Sequence, residues 1–338
     1  MQKLLLISFV FLSCSLYSQN ETLLKPGRVI FYNVENLFDT INDPAIQDEE
    51  FLPQSKNGWN TKKYKVKLNH IAKTFAALLD TIQPFVIGMS EVENRKVLED
   101  LVAQPALKKF NLGIIHHDSP DERGIDVAVL YNQETIKVAF DATLKVEFPF
   151  DKEDRTRDIL YVKTYVNEGE PVWLFVNHWP SRRGGKDDTE NKRLYAAKVM
   201  KDKIENIYLG EHFARVVVMG DFNDNPDDAS LVSLSNLNNK SKAEPMVNLM
   251  KPLEEKKEFT LKYKAESDIF DQFIVSQNLL DKKSPYFIRN SSANIFSPSF
   301  LLFNHPKNGM IPNRTYANGR WVGGYSDHLP VYCDIVFK

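Results

Sequence analysis

Four short runs of β-branched and aromatic residues in this sequence each end directly in side chains that can do chemistry. The runs lead to Asn33 and Glu35, to Glu91, to His178 and to Asp221. Runs of this length and composition predict buried β-strands. Groups that follow the strands of a rigid sheet are well placed for binding and catalysis. The pattern therefore favours an α/β protein whose functional site lies where several strand ends meet.

Three further sets of polar groups come before a predicted strand instead of after it, namely Asp126, Asp271 and Ser326-Asp327-His328. If all of these groups share one site, the first four strands run toward the site and the other three run away from it. Neighbouring strands of opposite direction form antiparallel pairs. The sequence therefore predicts mixed sheets rather than a purely parallel sheet.

Apolar residues at spacings of three and four predict amphipathic helices between these strands. One helix is expected from Thr61, as its N-cap, to about Ile82, and two more at Asn94 to Val102 and Asn191 to Tyr208. Residues 281 to 325 are rich in Asn, Ser, Pro and Gly and are predicted to form long loops. No Gly/Ser or Pro linker divides the chain, so residues 26–338 are expected to form one domain.

Residues 1–18 have the pattern of a secretory signal peptide. Lys3 precedes an apolar run from Leu4 to Tyr17, and cleavage is predicted after Ser18. The run is short for a membrane span, and no transmembrane segment is predicted. A lipoprotein anchor at Cys14 and a buried N-terminal strand are the two alternatives. The protein is therefore expected to be exported, either secreted or periplasmic.

The charge balance limits how the protein can bind polyanions. The sequence has 43 Lys and Arg against 45 Asp and Glu, a formal net charge of -2. Removal of residues 1–18 takes away one Lys and no acid, so the mature charge becomes -3. This balance excludes a nucleic-acid binder held by bulk electrostatics, but it leaves a local basic groove open. Two cysteines, Cys14 and Cys333, are too few for a disulfide scaffold.

Taken in order, the motifs resemble those of the endonuclease/exonuclease/phosphatase superfamily. The pieces that carry the resemblance are Asn33, Glu91, His178, Gly220-Asp221-Phe222-Asn223, Asp271 and Ser326-Asp327-His328. The resemblance covers residues 28 to 338 and implies a four-layer α/β sandwich of two packed mixed β-sheets flanked by helices. It also implies a metal-dependent hydrolase of phosphoester bonds that uses in-line attack by an activated water.

The resemblance also implies a divalent-metal site. Glu91 is the expected carboxylate ligand, with Asn33 beside the metal and Asp327 as a further metal-side carboxylate. Mg²⁺ is the expected ion, because it prefers hard oxygen ligands and binds few carboxylates together with a phosphate. Mn²⁺ and Ca²⁺ are the alternatives.

The remaining motif residues resemble the family's catalytic groups. Asp221 is expected to orient and deprotonate the attacking water, and Asn223 to hold a phosphate oxygen. His328 is expected to donate to the phosphate or to act as acid and base, with Asp271 fixing its tautomer. His178 resembles a second histidine that contacts phosphate on the leaving-group side.

Two departures from the family pattern lead to three further predictions. Deoxyribonuclease-like members pair the second histidine with a Glu near position 124, where this sequence has Gly124, and Asp126 is predicted to replace it. Many nuclease members have an Arg where this chain has Gln272. Arg157 and Arg123 are therefore predicted substrate contacts.

Three functions remain open from the sequence, and the first of them is the predicted one. The first is a secreted nuclease, favoured by export and by the Arg and Lys residues near His178. The second is a phosphatase or phosphodiesterase that acts on lipid head groups, inositol phosphates or small phosphoesters. The third is a non-catalytic binding protein, against which the intact set from Asn33 to His328 argues.

Overall fold

Alternation along the strands builds two buried layers at once. In β1 (Lys25–Leu37), Val29 and Phe31 belong to one core cluster, whereas Ile30 and Tyr32 belong to another. All four side chains are fully buried. Because successive side chains of a strand point to opposite faces, this apolar run of four residues is covered on both sides.

The computed structural model describes residues 25–166, 169–235, 237, 244–263, 266–289 and 292–338. The predicted signal peptide at residues 1–18 and the predicted anchor at Cys14 lie outside these ranges. Within these ranges, no helix is long and apolar enough to span a membrane.

Two large sheets form the centre of the fold. The first has seven strands in the order β13-β19-β1-β2-β4-β3, with β14 also paired to β19. Its other strands are β2 (Gln83–Val92), β3 (Leu112–His116), β4 (Asp126–Asn132), β13 (Tyr286–Ile288), β14 (Asn294–Ile295) and β19 (Val331–Phe337). The second has six strands in the order β5-β6-β7-β8-β12-β9. They are β5 (Ile136–Leu144), β6 (Ile159–Val166), β7 (Pro171–His178), β8 (Arg215–Asp221), β9 (Met246–Asn248) and β12 (Asp271–Ser276).

The strand directions confirm the prediction of mixed sheets. β1 runs parallel to β2, and β7 runs parallel to β8. The strands that follow the other three motifs are antiparallel to these, since β4 pairs with β2, β12 with β8 and β19 with β1. Strand ends from both sheets therefore meet at one edge.

Helices cover the outer faces and complete the four predicted layers. The outer face of the first sheet packs against α1 (Thr61–Leu78) and α2 (Arg95–Val102). The outer face of the second packs against α3 (Lys186–Gly210) and α4 (Ala229–Ser235). A short helix, α5 (Lys251–Glu255), and three hairpins lie in the connections. The hairpins are β10–β11 (Leu261–Tyr263, Glu266–Asp268), β15–β16 (Leu302–His305, Gly309–Pro312) and β17–β18 (Tyr316–Ala317, Arg320–Trp321).

Some local predictions were wrong in detail. Asn60, not Thr61, caps α1, because its side chain accepts from the amides of Lys62 and Lys63. The third predicted helix begins five residues before Asn191, at Lys186. The segment 281–325, predicted as long loops, contains short strands: β13 and β14 pair with β19, and the other four form the hairpins β15–β16 and β17–β18.

Candidate active site

Three strands of the second sheet place three of the predicted groups side by side. In the register, His178 on β7 lies opposite Asp221 on β8, and Asp221 lies opposite Asp271 on β12. All three side chains are buried. Because they stand at one level on neighbouring strands, the sheet itself fixes their spacing.

The first sheet adds Asn33 and Glu91 from across the interface. Asn33 Nδ2 donates to Asp221 Oδ2 at 2.9 Å, so the two sheets are joined at the site. Glu91 has a positive φ of 61°, which turns its side chain out of the strand direction. Its Oε2 accepts from the amide of Asn36 at 2.9 Å, whereas Oε1 is 3.5 Å from Asn33 Nδ2 and 3.9 Å from His178 Nε2.

The loop before β19 brings in His328. Ser326 Oγ donates to the carbonyl of Asn33 at 2.7 Å, and the amide of His328 donates to Ser326 Oγ at 3.0 Å. The imidazole Nδ1 of His328 lies 2.7 Å from Asp271 Oδ2, and its Nε2 lies 3.7 Å from Asp221 Oδ2. The predicted pair of His328 and Asp271 is therefore present in the fold.

Burial and neighbouring charges leave the Asp221 carboxylate ionised and the His328 imidazole protonated at neutral pH. Burial raises the pKa of Asp221 to about 6, against the opposing effects of His328 and Asn33. Burial lowers the pKa of His328, but the carboxylates of Asp271 and Asp221 outweigh it and raise the value well above the usual range. At neutral pH the site holds an ionised Asp221, able to accept a proton, and a cationic His328.

His178 has the opposite state. Burial, together with the positive charges of Arg157 and Arg123, lowers the pKa of His178 well below its usual value. Its Nε2 lies 3.6 Å from Asp221 Oδ2, while the buried Nδ1 has no hydrogen-bond partner among the described residues. His178 is therefore a neutral imidazole that faces the same carboxylate oxygen as His328.

Asp126 does not pair with His178, and this prediction was wrong. Its carboxylate accepts from the amide and hydroxyl of Ser119 at 2.8 and 2.5 Å, and lies 3.0 Å from His116 Nε2. The prediction assumed that residues 124 and 126 lie on the same face of one strand. Gly124 instead lies in a turn with φ of +65°, before β4 begins. A Cβ at Gly124 would stand 2.1 Å from Ile46, so this fold has no room there for a Glu.

Arg157 is not free to contact substrate, which corrects a second prediction. Its buried guanidinium donates to the carbonyls of His178 and Trp179 at 3.1 and 2.7 Å and to Asp121 Oδ2 at 2.9 Å. It holds the chain in place where His178 leaves β7. The side chain of Arg123 is 49% exposed, 3.7 Å from Asp121, and its substrate contact stays a prediction.

Two other predicted groups have partners of their own. Asp327 forms an ion pair with Arg314 at 3.0 Å and stands apart from the close group of Asp221, Asp271 and His328. Asn223 has a φ of 51° and donates from Nδ2 to the carbonyl of Trp179 at 2.9 Å. Their metal and phosphate contacts remain predictions.

Three further charged groups lie near the site, namely Glu35, Lys67 and Arg314. The sequence patterns assigned no specific role to any of them. Burial and Asp327 raise the pKa of Glu35 to about 7, and burial lowers the pKa of Lys67 to about 8. Glu35 Oε1 lies 3.6 Å from Arg314 Nε. The spacing of Asn33-Val34-Glu35 was the available signal for Glu35, whereas Lys67 looked like the polar side of α1.

The donor set fits a divalent cation. Several carboxylates converge here, and the buried Asp271 Oδ1 has no hydrogen-bond partner in the part of the chain that the structure describes. Asp221, Asp271 and His328 have ligand atoms within 4.8 Å of one another. Glu91, whose Oε1 accepts from Asn33 Nδ2 at 3.5 Å, and Asn33 itself are the groups that would hold the ion, because hard cations prefer oxygen ligands.

Replacing Asp271 by Asn tests the charge state of His328. Loss of the carboxylate removes a negative charge, so the pKa of His328 falls and the imidazolium loses its proton at lower pH. We expect kcat to fall about 10²-fold and the alkaline limb of the pH–rate profile to move to lower pH. If the alkaline limb of the pH–rate profile does not move in Asp271→Asn, His328 does not act as the cation.

Comparison with known proteins gives one sequence match and several fold matches. The profile of the Endonuclease/Exonuclease/phosphatase family matches residues 28–336. No curated protein matches the sequence. A humanized Danio rerio TDP2 is 15% identical, with a TM-score of 0.55 over 92% of this chain and 98% of that chain. The catalytic domain of human Nocturnin with bound sulfate is 16% identical, with a TM-score of 0.55 over 93% and 95%.

A bacterial neighbour has a similar score. The mannosyl-6-phosphatase of Bacteroides thetaiotaomicron is 14% identical, with a TM-score of 0.56 over 92% of this chain and 100% of that chain. At these identities the structural likeness concerns the fold alone. The fold and the profile match agree on nearly the whole described chain.

Proposed function

Since this chain belongs to the endonuclease/exonuclease/phosphatase family, whose members are metal-dependent phosphoester hydrolases, we propose that it hydrolyses compact phosphoesters with Mg²⁺. By compact we mean a phosphomonoester or a small diester rather than a long polymer. The observation that carries the proposal is the charge pattern around His178. The basic side chains of Arg182 and Lys186, which follow His178 in the chain, are paired with carboxylates.

The protein groups divide the chemistry among them. The Asp221 carboxylate, held by Asn33, orients the attacking water and accepts its proton. The imidazolium of His328 donates from Nε2 to the phosphate, and neutral His178 donates from Nε2 on the leaving-group side. A divalent cation held by Glu91 and Asn33 would supply positive charge against the charge that develops on the phosphate and the leaving oxygen. Asp271 orients His328 through Nδ1.

The cations beside His178 are largely paired. Arg182 lies 3.2 Å from Asp224 and 2.6 Å from Asp228, and Lys186 lies 2.6 Å from Asp228. A phosphate polymer is held through free cations, because binding neutralises its charges one by one. Paired cations supply little of that energy, so a long polyanion gains little by lying across this face.

An acidic cavity next to the site also disfavours the binding of a long polyanion. It has a volume of about 750 Å³, and its lining includes the carboxylates of Glu49, Asp118 and Glu122. Glu93, which also lines it, stands two residues beyond Glu91 in the chain. A lining of one sign repels a polymer of phosphates and leaves a small phosphoester less affected.

A nuclease is the second candidate. The arrangement of two imidazoles around Asp221 favours it, since His178 and His328 both face the same carboxylate oxygen. A fold neighbour, Danio rerio TDP2, is described in complex with a single-strand DNA product. The exposed Arg123 would then be a phosphate contact.

One assay panel separates the two candidates. The chain from residue 19 to 338 is offered small phosphomonoesters, inositol phosphates, sphingomyelin, RNA, single-stranded DNA and plasmid, with Mg²⁺, Mn²⁺ or Ca²⁺. We expect the highest kcat/KM on small phosphoesters and weak, strongly salt-dependent cleavage of nucleic acid. Preferred cleavage of DNA or RNA would establish the nuclease instead, and cleavage of nothing would reject the enzyme.

We also propose that residues 1–18 direct export and are removed after Ser18. The apolar run behind Lys3 supports this proposal. N-terminal sequencing of the protein produced in a Gram-negative host tests it, and a mature chain that starts at Gln19 agrees. An acylated Cys14 would support the lipoprotein alternative, and an intact Met1 would reject export.

A further inference from the structure

A second cavity, of about 340 Å³, lies against the metal-side groups of the site. Three of its lining residues bond directly to site residues. The amide of Glu35 donates to Asn33 Oδ1 at 3.0 Å, the amide of Asn36 donates to Glu91, and Arg314 donates to Asp327 at 3.0 Å. The cavity therefore shares a wall with the site, so a group bound in it would be joined to the reacting phosphate by a short link.

The interior of this cavity is polar and carries both signs of charge. The carboxylates of Glu35 and Glu50, the amide of Asn57, and the cations Lys56 and Arg314 all line it. Carboxylates accept hydrogen bonds, cations donate them and an amide does both. Hydroxyl groups also do both, so a ring that carries several hydroxyls can satisfy this lining from all sides.

The aromatic residues of the cavity are already engaged within the chain. Phe51 is stacked on Phe38, with ring centroids 4.0 Å apart, and Tyr316 meets Trp321 edge to face at 5.4 Å. Trp59 is fully buried. A nucleobase binds best to a free aromatic face and a lipid chain needs an apolar wall. Charged and polar groups stand among these rings in the lining, so it favours a hydroxylated ring over a lipid chain.

The wall that carries Asn57 is pinned before any ligand arrives. Its carbonyl accepts from Lys63 Nζ at 2.6 Å and from the hydroxyl of Tyr316 at 3.2 Å. Lys63 Nζ also lies 5.4 Å from the ring centroid of Trp321. Preorganised polar groups bind at a lower entropic cost than mobile ones, so the Asn57 side chain is suited to select a ligand.

We infer that this cavity is a specificity subsite that holds the organic part of the substrate, and that this part is a hydroxylated ring, as in a sugar phosphate. The inference rests on the proposed function and specifies its substrate class. The volume is near the lower end of that of small-molecule sites, about 300 to 1,000 Å³. It suits a single ring and its substituents rather than a chain of nucleotides.

The test compares substrates with and without the ring. Wild type is expected to cleave hexose 6-phosphates with a kcat/KM about tenfold above that of ethyl phosphate. Asn57→Trp fills the cavity and should remove this preference by raising the KM for the hexose phosphate. Gln133→Trp, an exposed change in the turn after β4, is the matched control and should keep the preference.

A gentler variant guards against misfolding of Asn57→Trp. Glu50→Ala removes one exposed rim carboxylate and should raise the KM for hexose phosphates about threefold. An unchanged KM for hexose phosphates in both variants overturns the subsite. So does a wild-type preference for nucleoside monophosphates that Asn57→Trp abolishes, because the occupant would then be a base. Wild type that cleaves neither hexose phosphate nor ethyl phosphate with any divalent cation rejects the proposed function itself.

Discussion

Asp221→Asn is expected to lower kcat by about 10³-fold at neutral pH, with a much smaller effect on KM. The carboxylate is buried, its Oδ2 is held by Asn33 at 2.9 Å, and both imidazoles face it. An amide keeps the size of the side chain but cannot accept a proton from water. The loss therefore falls on the chemical step rather than on substrate binding.

The pH profile gives a second readout of the same group. Burial raises the pKa of Asp221 to about 6. Below that pH the carboxylate is protonated, so wild-type kcat should fall on the acid side with an apparent pKa near this value. The acid limb should disappear in Asp221→Asn. Full activity of the variant would overturn the assignment of the base while leaving the family membership intact.

Asp224→Asn is the matched control for this change. Asp224 is as buried as Asp221 and stands three residues later, but its carboxylate contacts the buried Arg193 at 2.7 Å, Arg182 and Ser230 instead of the site. Removing one partner of a buried ion pair destabilises a protein, by about 3 to 5 kcal/mol in measured cases. The control should therefore unfold at lower temperature yet keep kcat near wild type while folded.

Glu91→Gln is expected to reduce activity about 10²- to 10³-fold and to raise the metal concentration needed for half-maximal rate. Glu91 Oε1 accepts a long contact from Asn33 Nδ2 at 3.5 Å, and Oε2 is held by the amide of Asn36 at 2.9 Å. A neutral amide attracts a divalent cation more weakly than a carboxylate does. Excess Mg²⁺ or Mn²⁺ should restore part of the rate, and a chelator should abolish wild-type activity until metal is returned.

Glu93→Gln supplies the matched control on the same strand end. Burial, together with the neighbouring carboxylates, raises the pKa of Glu93 to about 8. Much of this group is therefore already neutral at pH 7, and Gln imitates that form. Activity and metal dependence should stay near wild type. Equal metal dependence of Glu91→Gln and wild type, measured by titration of the rate with Mg²⁺, would remove Glu91 from the metal site.

Much of the fold could be predicted because its signals are local. A strand such as β8 is encoded by four apolar residues in succession, and strand direction followed from whether the motif precedes or follows the run. The clustering of Asp221, Asp271 and His328 also followed, since strand ends that share an edge must meet. The cap at Asn60 was missed because Asn and Thr are both good caps and adjacent in the sequence.

The sequence by itself determined which residues can form the site and in which order the strands deliver them, because composition and spacing act over a few residues. Only the tertiary structure decided the partners of each charged group. Arg157 reaches Asp121 across 36 residues, and Glu35 meets the amide of Thr315 across 280. Such pairings depend on register and loop packing, which local patterns do not encode. Because of these pairings, Arg157 supports the backbone of His178 instead of contacting substrate, and Asp126 pairs with His116. They also place Glu35 and Arg314 in the wall of a cavity beside the site.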